Sequence, residues 1–462
     1  MAQCIIKHLY NILKFSVLSF LSLVLLLPFI GIFSKIDFDI STIIIFLQNH
    51  YTHRLIYFSL YQAFLSSIIS CLIAIPFSLA LNRRKNLKIV KIIISLCGFS
   101  FVIPSILIVY AVIKLFGNNG FFNNYFDIYK YLSIESIYGI KAILIAHILL
   151  NAPFATRLFF HNLNNIPAKY YEISKSISLS YLGNIINLEI PFIKQSFFTV
   201  FSIIFTLCFL SFAIIMALGG GPQYSTIEVA IYQYALFDLN FNKAILLSFI
   251  QIIICLFFVF VGFYKLKGSS FFELENITNI HPHKNILSIK IIDFLLITLL
   301  SIFLFSPIII IFIDLINTNF SKIILSITFW YAFFNSLFIS IFTGIIVSII
   351  GLIISIQIIV NHKNILFQQL LFFLCFIILI ISPIIFSLGY FISLKNFIHL
   401  IWLKIIIVIL INCIFLLPFA ILILFNSLKN NFFSYEDIQK TFRIKIVDYF
   451  KIIFPLIRKN FL

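Results

Sequence analysis

The sequence predicts an all-α polytopic membrane protein with about ten transmembrane helices, and its composition carries most of that prediction. Of 462 residues, 62% are hydrophobic and only 10% are charged, whereas soluble domains are about 45–50% apolar and about 25% charged. The mean hydropathy is +1.15. A soluble fold leaves a large share of its area in water, so lipid must surround most of this chain. The composition therefore excludes a soluble enzyme, a disordered chain and a disulfide scaffold.

Ten apolar stretches are long enough to cross a bilayer, which takes about 20 residues as a helix. The first follows Lys7 and Lys14 in the manner of a signal peptide, but it is too long and no small-residue cleavage site follows Phe33-Ser34. We therefore expect a retained first span. The predicted spans are residues 15–34, 56–81, 92–116, 140–160, 196–218, 244–264, 291–316, 330–360, 367–392 and 404–426.

Basic residues outnumber acidic ones, 32 against 15, and the formal net charge is +17. If the N-terminus lies in the cytoplasm, most of the basic residues fall on inside segments, with the densest run from Arg83 to Lys91. Cytoplasmic loops of membrane proteins are enriched in Lys and Arg. The charge distribution therefore predicts a cytoplasmic N-terminus, and it removes the reason to expect nucleic acid as a partner.

Two segments of equal length repeat in the chain. One runs from Glu172 to Pro191 and the other from Glu436 to Pro455, and each follows a span with a Pro-Phe-Ala triplet, at 153–155 and at 418–420. Matching features at a nearly constant offset indicate a duplicated unit. Since both segments fall on the same predicted side of the membrane, the two halves run in parallel.

Each repeated segment also carries apolar residues at the spacing of one helix face. One such segment alone would equally suit an amphipathic helix resting on the membrane surface. Two segments at matching positions favour a shared role. The apolar residues are Ile173, Ile177 and Tyr181 in the first segment and Ile438, Phe442 and Ile446 in the second.

The two segments resemble the EAA loop of binding-protein-dependent ABC importer permeases. In that family a Glu-Ala-Ala start, a later glycine and a closing proline mark two short helices that dock into a cleft of a cytoplasmic ATPase. The alanines are replaced by Ile173-Ser174 and Asp437-Ile438, and the glycine by Ser178 and Phe442. The resemblance implies two copies of an ABC ATPase as partners. It assigns ATPase coupling to Glu172, Ser178, Pro191, Glu436, Phe442 and Pro455.

Further stretches resemble the thiamine and thiamine pyrophosphate permeases of Gram-negative bacteria, a fused-half family of these importers. They are residues 54–66, 146–158, 207–213, 218–223 and 226–233, and the resemblance is strongest between 139 and 262. It implies translocation of thiamine and its phosphates across the cell inner membrane. It also implies delivery by a periplasmic thiamine-binding protein and ATP hydrolysis on a separate subunit, so that this chain is not an enzyme.

The repeat and the family together predict the domain organisation. Residues 1–265 form a first permease half with six spans, 266–290 a cytoplasmic linker, and 291–462 a second half with four spans. Because each half of the family carries six spans, the second half is expected to be incomplete. A truncated gene, a decaying gene and a separately encoded remainder all stay open.

Three alternatives to a thiamine permease also stay open. A related fused-half permease for ferric iron or another small solute shares the architecture, and a non-functional truncated remnant would keep the same sequence features. A secondary transporter would need acidic ion sites inside the membrane. Only Asp293 and Asp314 come close, both at the ends of a span, and Asp293 is expected to be neutralised by Lys290.

Two groups of polar residues are candidate transport contacts. From composition alone, Gly219, Gly220, Gly221 and Pro222 predict a flexible turn and Glu228 a solvated surface glutamate. The resemblance implies instead that these residues contact the binding protein or the substrate. His147 and Asn151 share a helix face because they are four residues apart. They are expected either to line a cavity or, as the favoured interpretation, to make polar packing contacts between helices.

The sequence offers no catalytic or metal-binding motif. Walker motifs, nucleophilic triads and carboxylate pairs are absent, and the seven cysteines include no CxxC pair. His281-Pro282-His283 is a lone HxH on a predicted loop, which is a weak signal for a metal. We therefore predict no cofactor and no metal, with the energy supplied by another chain.

Overall fold

The computed structural model describes most of the chain. It covers residues 19, 22–34, 40–100, 102–126, 137–264, 281–316, 320–360, 367, 371, 374, 377–397 and 400–442. Within these residues the secondary structure is helical, without strands.

The helices follow the apolar stretches of the sequence. In chain order they are α1 (Ser22–Phe33), α2 (Ile40–Gln48), α3 (His50–Arg83), α4 (Lys88–Phe99), α5 (Ser105–Phe116), α6 (Phe121–Phe126), α7 (Ile140–Asn164), α8 (Ala168–Ser176), α9 (Tyr181–Asn184), α10 (Ile190–Phe209), α11 (Ala213–Leu218), α12 (Ile227–Leu236), α13 (Phe241–Tyr264), α14 (Leu287–Ile316), α15 (Phe320–Ile324), α16 (Ile327–Val360), α17 (Pro383–Leu394) and α18 (Ile401–Phe442).

Eight helices of the described chain are long and apolar enough to cross a membrane, which confirms an all-α multi-pass protein. They are His50–Arg83, Ser105–Asn124, Ile140–Asn164, Tyr181–Phe209, Phe241–Gly262, Leu287–Ile316, Ile327–Ile359 and Trp402–Ile421.

Four predicted spans differ from the structure in detail. The stretch 92–116 is divided between α4 and α5, because Pro104 stands at the N-cap of α5 and cannot donate a helical hydrogen bond. The stretch 196–218 is interrupted after Phe209, and α11 is a separate short helix. Two others, 15–34 and 367–392, lie partly outside the described residues and contain the shorter helices α1 and α17.

The chain divides into two compact units. One comprises residues 38–320, and the other comprises residues 1–37 together with 321–462. These units do not follow the boundary of the sequence repeat, since the first predicted span of each half lies in the unit of the other half. The halves themselves, defined by duplication rather than by compactness, stay a prediction.

In the unit formed by residues 38–320, α3 and α7 pack along each other and α10 packs against both. A buried apolar cluster joins α3, α5, α7 and α11 through Phe58, Val112, Ile143 and Leu218. Helix α14 packs against α3, α5 and α7. This bundle holds the first repeated segment at one end.

In the second unit, α16 packs against α18 through Ile354, Leu417 and Ile421. Helix α1 lies against α17, where the Tyr390 hydroxyl donates to the Val24 carbonyl oxygen at 2.7 Å. Gly389 permits this approach, because a Cβ there would stand 2.4 Å from the Pro28 carbonyl oxygen.

Candidate functional site

The first repeated segment is set apart from its span by a short break. Helix α7 ends at Asn164, and Pro167 stands at the N-cap of α8. The Lys85 ammonium donates to the Asn164 side-chain oxygen at 2.9 Å and ties the break to the loop after α3. Partial burial lowers the pKa of Lys85. The segment that begins at Ala168 is therefore set off from α7 and fixed to the end of the bundle.

Ser178 ends α8 in the conformation that the family's glycine would adopt. Its φ is +52°, in the left-handed region. The Ser178 N–H donates to the Lys175 carbonyl oxygen at 3.1 Å, and the Leu179 N–H donates to the Ser174 carbonyl oxygen at 2.9 Å. These two hydrogen bonds form a Schellman motif, in which glycine is the usual residue at the left-handed position. Ser178 thus occupies a left-handed position at which this motif usually has glycine.

Pro191 begins a helix instead of ending the segment. Helix α9 continues through a π-helical turn, Ile185–Glu189, directly into α10, and Pro191 lies in the first turn of α10. A proline is tolerated there because that N–H has no helical acceptor. Pro191 thus stands where the segment passes into the membrane helix, within the continuous helical stretch Tyr181–Phe209, and its role in coupling stays a prediction.

An apolar face of this segment is exposed. Ile173 is 56% exposed, Ile177 62% and Leu182 64%, and Tyr170 and Ile186 are also exposed. Glu172 is exposed beside them. Tyr181 does not belong to this face as predicted, because it is partly buried under the Arg83 guanidinium, 5.4 Å from its ring centroid. An exposed apolar cluster of this kind is typical of a surface that contacts another protein or the membrane.

The opposite side of the segment is buried against charged groups. The Glu189 side chain is completely buried, and its Oε1 lies 3.4 Å from His281 Nε2. The Tyr171 hydroxyl donates to the same oxygen at 3.4 Å and accepts from the Asn82 amide at 3.3 Å. Burial raises the pKa of Tyr171, with the Glu189 charge as the next contribution, so this hydroxyl stays protonated as a donor.

Asp293 pairs with two arginines and not with Lys290 as predicted. Arg83 Nη2 lies 2.7 Å from Asp293 Oδ1, and Arg84 Nε donates to Asp293 Oδ2 at 2.8 Å. The Asp293 side chain is fully buried, so it needs partners that approach from inside the bundle. Arg83 also faces Glu189, with Nη1 3.9 Å from Oε2. Sequence reasoning missed this cluster because Arg83 and Asp293 are 210 residues apart.

The second repeated segment has a different backbone. Glu436 and Phe442 lie within α18, which runs without a break from the last span to Phe442. Pro455 lies outside the described residues. The described part of this segment therefore lacks the turn found at Ser178.

The glycine-rich segment between α11 and α12 forms a compact turn. Gly220 and Gly221 have φ of +72° and +144°, which L side chains rarely adopt. Pro222 begins a single 3₁₀ turn, and its carbonyl oxygen accepts a hydrogen bond from Arg54 Nη2 at 3.0 Å. Gly219 caps α11. The structure thus places the four predicted residues together at the end of α3.

Glu228 is buried, so the interpretation of it as a solvated surface glutamate was wrong. Its side chain is in the first turn of α12 and the residue is 1% exposed. Gln251 Nε2 of α13 donates to Glu228 Oε2 at 2.7 Å. Contact with a binding protein or substrate would require this segment to open.

His147 and Asn151 lie inside the bundle and contact neighbouring helices. His147 Nδ1 lies 3.0 Å from the Ser66 hydroxyl, and Asn151 Nδ2 donates to Cys208 Sγ at 3.2 Å. Gln62 Nε2 donates to the Cys208 carbonyl oxygen at 3.1 Å. These contacts join α3, α7 and α10, which fits the packing interpretation. A role in lining a cavity stays a prediction.

No metal cluster stands out elsewhere in the site. Among the described residues, no group of three or more His, Cys, Asp or Glu side chains is placed to hold a metal ion. His283 uses Nε2 for a 2.9 Å contact with the Leu179 carbonyl oxygen, which links the segment before α14 to the repeated loop. Asp314 pairs with Lys114 at 2.9 Å.

Sequence comparison finds thiamine transport system permease proteins of several bacteria. The protein of Haemophilus influenzae is 32% identical over 272 residues, which are 59% of this chain and 50% of that protein. The Escherichia coli protein is 28% identical over 415 residues, 87% of this chain and 76% of that protein. The Salmonella typhimurium protein is 26% identical over 388 residues, 83% and 72% respectively. The chain thus spans half the length of the Haemophilus relative and about three quarters of the other two.

No family model matches the chain. Among solved structures, a bacterial ABC transporter involved in the import of alginate is 17% identical, with a TM-score of 0.46 over 56% of this chain and 95% of that one. A likeness of this size carries no argument about the fold. The sequence similarity extends further, because two of the thiamine permeases match more than four fifths of the chain. The chain is therefore similar to thiamine transport system permease proteins over most of its own length.

Proposed function

We propose that this chain is the membrane-spanning permease subunit of an ABC importer that moves thiamine and its phosphates across the cell inner membrane. The names of its relatives support the substrate. The N-terminus lies in the cytoplasm, as the distribution of Lys and Arg favours. ATP hydrolysis takes place on a separate subunit.

The exposed apolar face of the 168–191 segment is the observation that carries this proposal. Ile173, Ile177 and Leu182 are exposed, while the other side of the segment is fixed by buried contacts. A short helical element with an apolar face and a charged flank suits the groove of a partner. We assign this face to one copy of a cytoplasmic ABC ATPase, with Glu172 setting the register. A second copy docks on the 436–455 segment.

The continuous rod from Tyr181 to Phe209 gives the docked segment a mechanical path into the membrane. ATP binding closes the ATPase dimer and draws the docked segments together, and the attached spans open the substrate path to the outside. Hydrolysis resets the arrangement. This is alternating access, in which the partner's binding energy shifts a conformational equilibrium of the permease.

A periplasmic thiamine-binding protein delivers the substrate in this proposal. The compact turn at Gly219–Pro222 lies on the opposite end of α3 from Arg83, since Arg54 of the first turns of α3 donates to Pro222. It is therefore placed at the outer mouth when Arg83 is cytoplasmic. Opening of this turn would expose Glu228 to a cationic thiazolium.

A pair of aspartate substitutions tests docking. Ile177→Asp places a charge on the apolar face, whereas Ser176→Asp places the same charge on the neighbouring exposed residue outside that face. We expect Ile177→Asp to reduce co-purification of the ATPase at least tenfold, because a buried unpaired charge costs several kcal/mol at an interface. Ser176→Asp should retain it. Equal co-purification of both variants would contradict the assignment.

Uptake of labelled substrate tests the transport proposal. Proteoliposomes with the permease, its ATPase and its binding protein should accumulate thiamine only when ATP is enclosed. Accumulation of ferric iron in place of thiamine would establish the related permease class instead. Absence of ATP-dependent uptake of either solute would contradict both.

A further inference from the structure

Five side chains from separate parts of the chain meet beneath the candidate docking segment, and we call them the anchor cluster: Arg83, Arg84, Glu189, His281 and Asp293. Arg83 and Arg84 end α3, Glu189 lies in the π-helical turn, and Asp293 lies in the second turn of α14. The Glu189 and Asp293 side chains have no exposed area, and Arg83 has 2%. The cluster is the buried junction of the docking segment with two membrane spans.

We propose that the anchor cluster transmits movement of the docking segment to α3 and α14, with Arg83 shared between the carboxylate of the segment and the carboxylate of α14. Arg83, Glu189 and Asp293 would then be positioning residues for transport. The inference rests on the proposed coupling function of the segment and adds the residues that carry its movement into the membrane.

The geometry supports a shared arginine. Arg83 binds Asp293 at 2.7 Å and faces Glu189 at 3.9 Å. Within the described residues, Arg83 Nη1 and Glu189 Oε2 are buried and have no hydrogen-bond partner. Buried polar atoms are normally paired, because an unpaired one carries a desolvation penalty. A small displacement of the segment toward α3 would bring Glu189 into hydrogen-bond distance of Arg83. Arg83 would then pair with Asp293 alone in one position of the segment and with both carboxylates in the other.

The strength of the pairing supports transmission. The Arg83–Asp293 pair ties the ends of α3 and α14 together, because a buried ion pair cannot separate without leaving a charge uncompensated in an apolar surrounding. The docking segment faces this pair through Glu189, 3.9 Å from Arg83. The remaining side-chain contacts run the same way: Tyr171 of the segment accepts from Asn82 of α3, and Leu179 of the segment contacts His283 just before α14. Movement of the segment therefore pulls on the ends of these two helices rather than on the apolar interior.

Asp314 provides a matched control. Asp314 lies near the other end of the same helix, and its pairing with Lys114 is partly exposed, with 27% and 45% of the two side chains in contact with solvent. Partly exposed ion pairs contribute little. An aspartate-to-asparagine change at 314 thus repeats the chemistry of the change at 293 without touching the anchor cluster.

The test compares Asp293→Asn and Glu189→Gln with Asp314→Asn in the complete transporter. The readout is thiamine transported per ATP hydrolysed, which a merely structural role would not change in the complexes that assemble. We expect Asp293→Asn and Glu189→Gln to retain the ATPase and its hydrolysis while the ratio falls at least tenfold. Asp314→Asn should keep the wild-type ratio. A wild-type ratio in both anchor variants, or loss of the ATPase from them, would overturn the proposal.

A second variant covers the case in which Asp293→Asn fails to fold with two unpaired arginines. Arg83→Met combined with Asp293→Leu removes the buried pair as a unit, a change that often preserves stability. Arg84 then remains, and its side chain is 13% exposed. We expect normal amounts in the membrane with the ratio still at least tenfold lower. Recovery of the wild-type ratio would show that the cluster serves folding alone and would refute the proposal.

Hydrogen exchange of the permease alone separates this proposal from the coupling function. Glu189→Gln should raise amide exchange at least fivefold both in α8 and in the last turn of α3, because the two elements lose their shared contact. Unchanged exchange in α3 would overturn the inference even if the transporter works. If the proposed function itself is wrong, the wild-type protein will neither retain an ATPase in co-purification nor take up thiamine.

Discussion

Replacing Ser178 with glycine should stabilise the docking segment. Ser178 has a φ of +52° at the end of α8, and a side chain in the left-handed region costs about 1–2 kcal/mol. Glycine avoids that cost but loses about 0.5–1 kcal/mol through its greater freedom in the unfolded chain. The net gain is about 0.5–1 kcal/mol, which corresponds to about two- to fivefold in a local opening equilibrium.

Amide hydrogen exchange of α8 and α9 measures this gain directly, because local opening limits exchange in a surface segment. Ser176→Gly is the matched control, since Ser176 lies in the last turn of α8 and its hydroxyl donates to the Glu172 carbonyl oxygen at 3.1 Å. Glycine within a helix destabilises by about 0.5–1 kcal/mol, so exchange should become faster. Faster or unchanged exchange in Ser178→Gly would refute the assignment of a strained left-handed turn.

Three further predictions concern the bundle and its orientation. Gly139→Ala should destabilise the protein by about 1–2 kcal/mol and lower its melting temperature in detergent. Gly139 has a φ of +94°, and a Cβ there would stand 2.8 Å from the Tyr224 ring, so melting at the wild-type temperature would contradict this geometry. Glu228→Ala should lower the free energy of unfolding by about 1–3 kcal/mol, because the buried Gln251 amide loses its acceptor. Glu172→Ala changes an exposed residue and should leave the melting temperature unchanged. Equal effects of the two variants would argue against a buried Glu228. A reporter enzyme fused after Lys85 should be active in the cytoplasm and one fused after Gln223 in the periplasm, because Arg83 and Pro222 lie at opposite ends of α3. The reverse result would invert the proposed topology.

The sequence predicted the helices of the bundle well because their signal is local. Runs such as 330–360 contain enough apolar residues to define a span without knowledge of any neighbour. The turn at Ser178 was also predictable, since the spacing of the repeated segment marks the position at which the family has a glycine. The break between α4 and α5 could have been read from Pro104, which interrupts an otherwise uniform apolar stretch.

The buried polar contacts were not predictable in the same way. An aspartate next to a span calls for a partner, and the sequence offers Lys290 within one helical turn as well as Arg83 and Arg84 far upstream. Only the packing of α14 against α3 selects the arginines. The partner of Glu228 was also not predictable, because Gln251 comes from α13 and the turn between the two helices decides which side of α12 faces inward.

The first predicted span of each half packs in the compact unit of the other half, and this has a consequence for how the protein is made. Helix α1 contacts α17, which is synthesised more than three hundred residues later, as the 366-residue separation of Tyr390 and Val24 shows. Helix α14 packs against α3 and α5, which belong to the same compact unit but precede the 266–290 linker. Two polypeptides separated between residues 266 and 290 would each carry one helix whose neighbours belong to the other. The two predicted halves would therefore depend on each other in biogenesis, and we expect that co-expression of both is required for either to resist proteolysis.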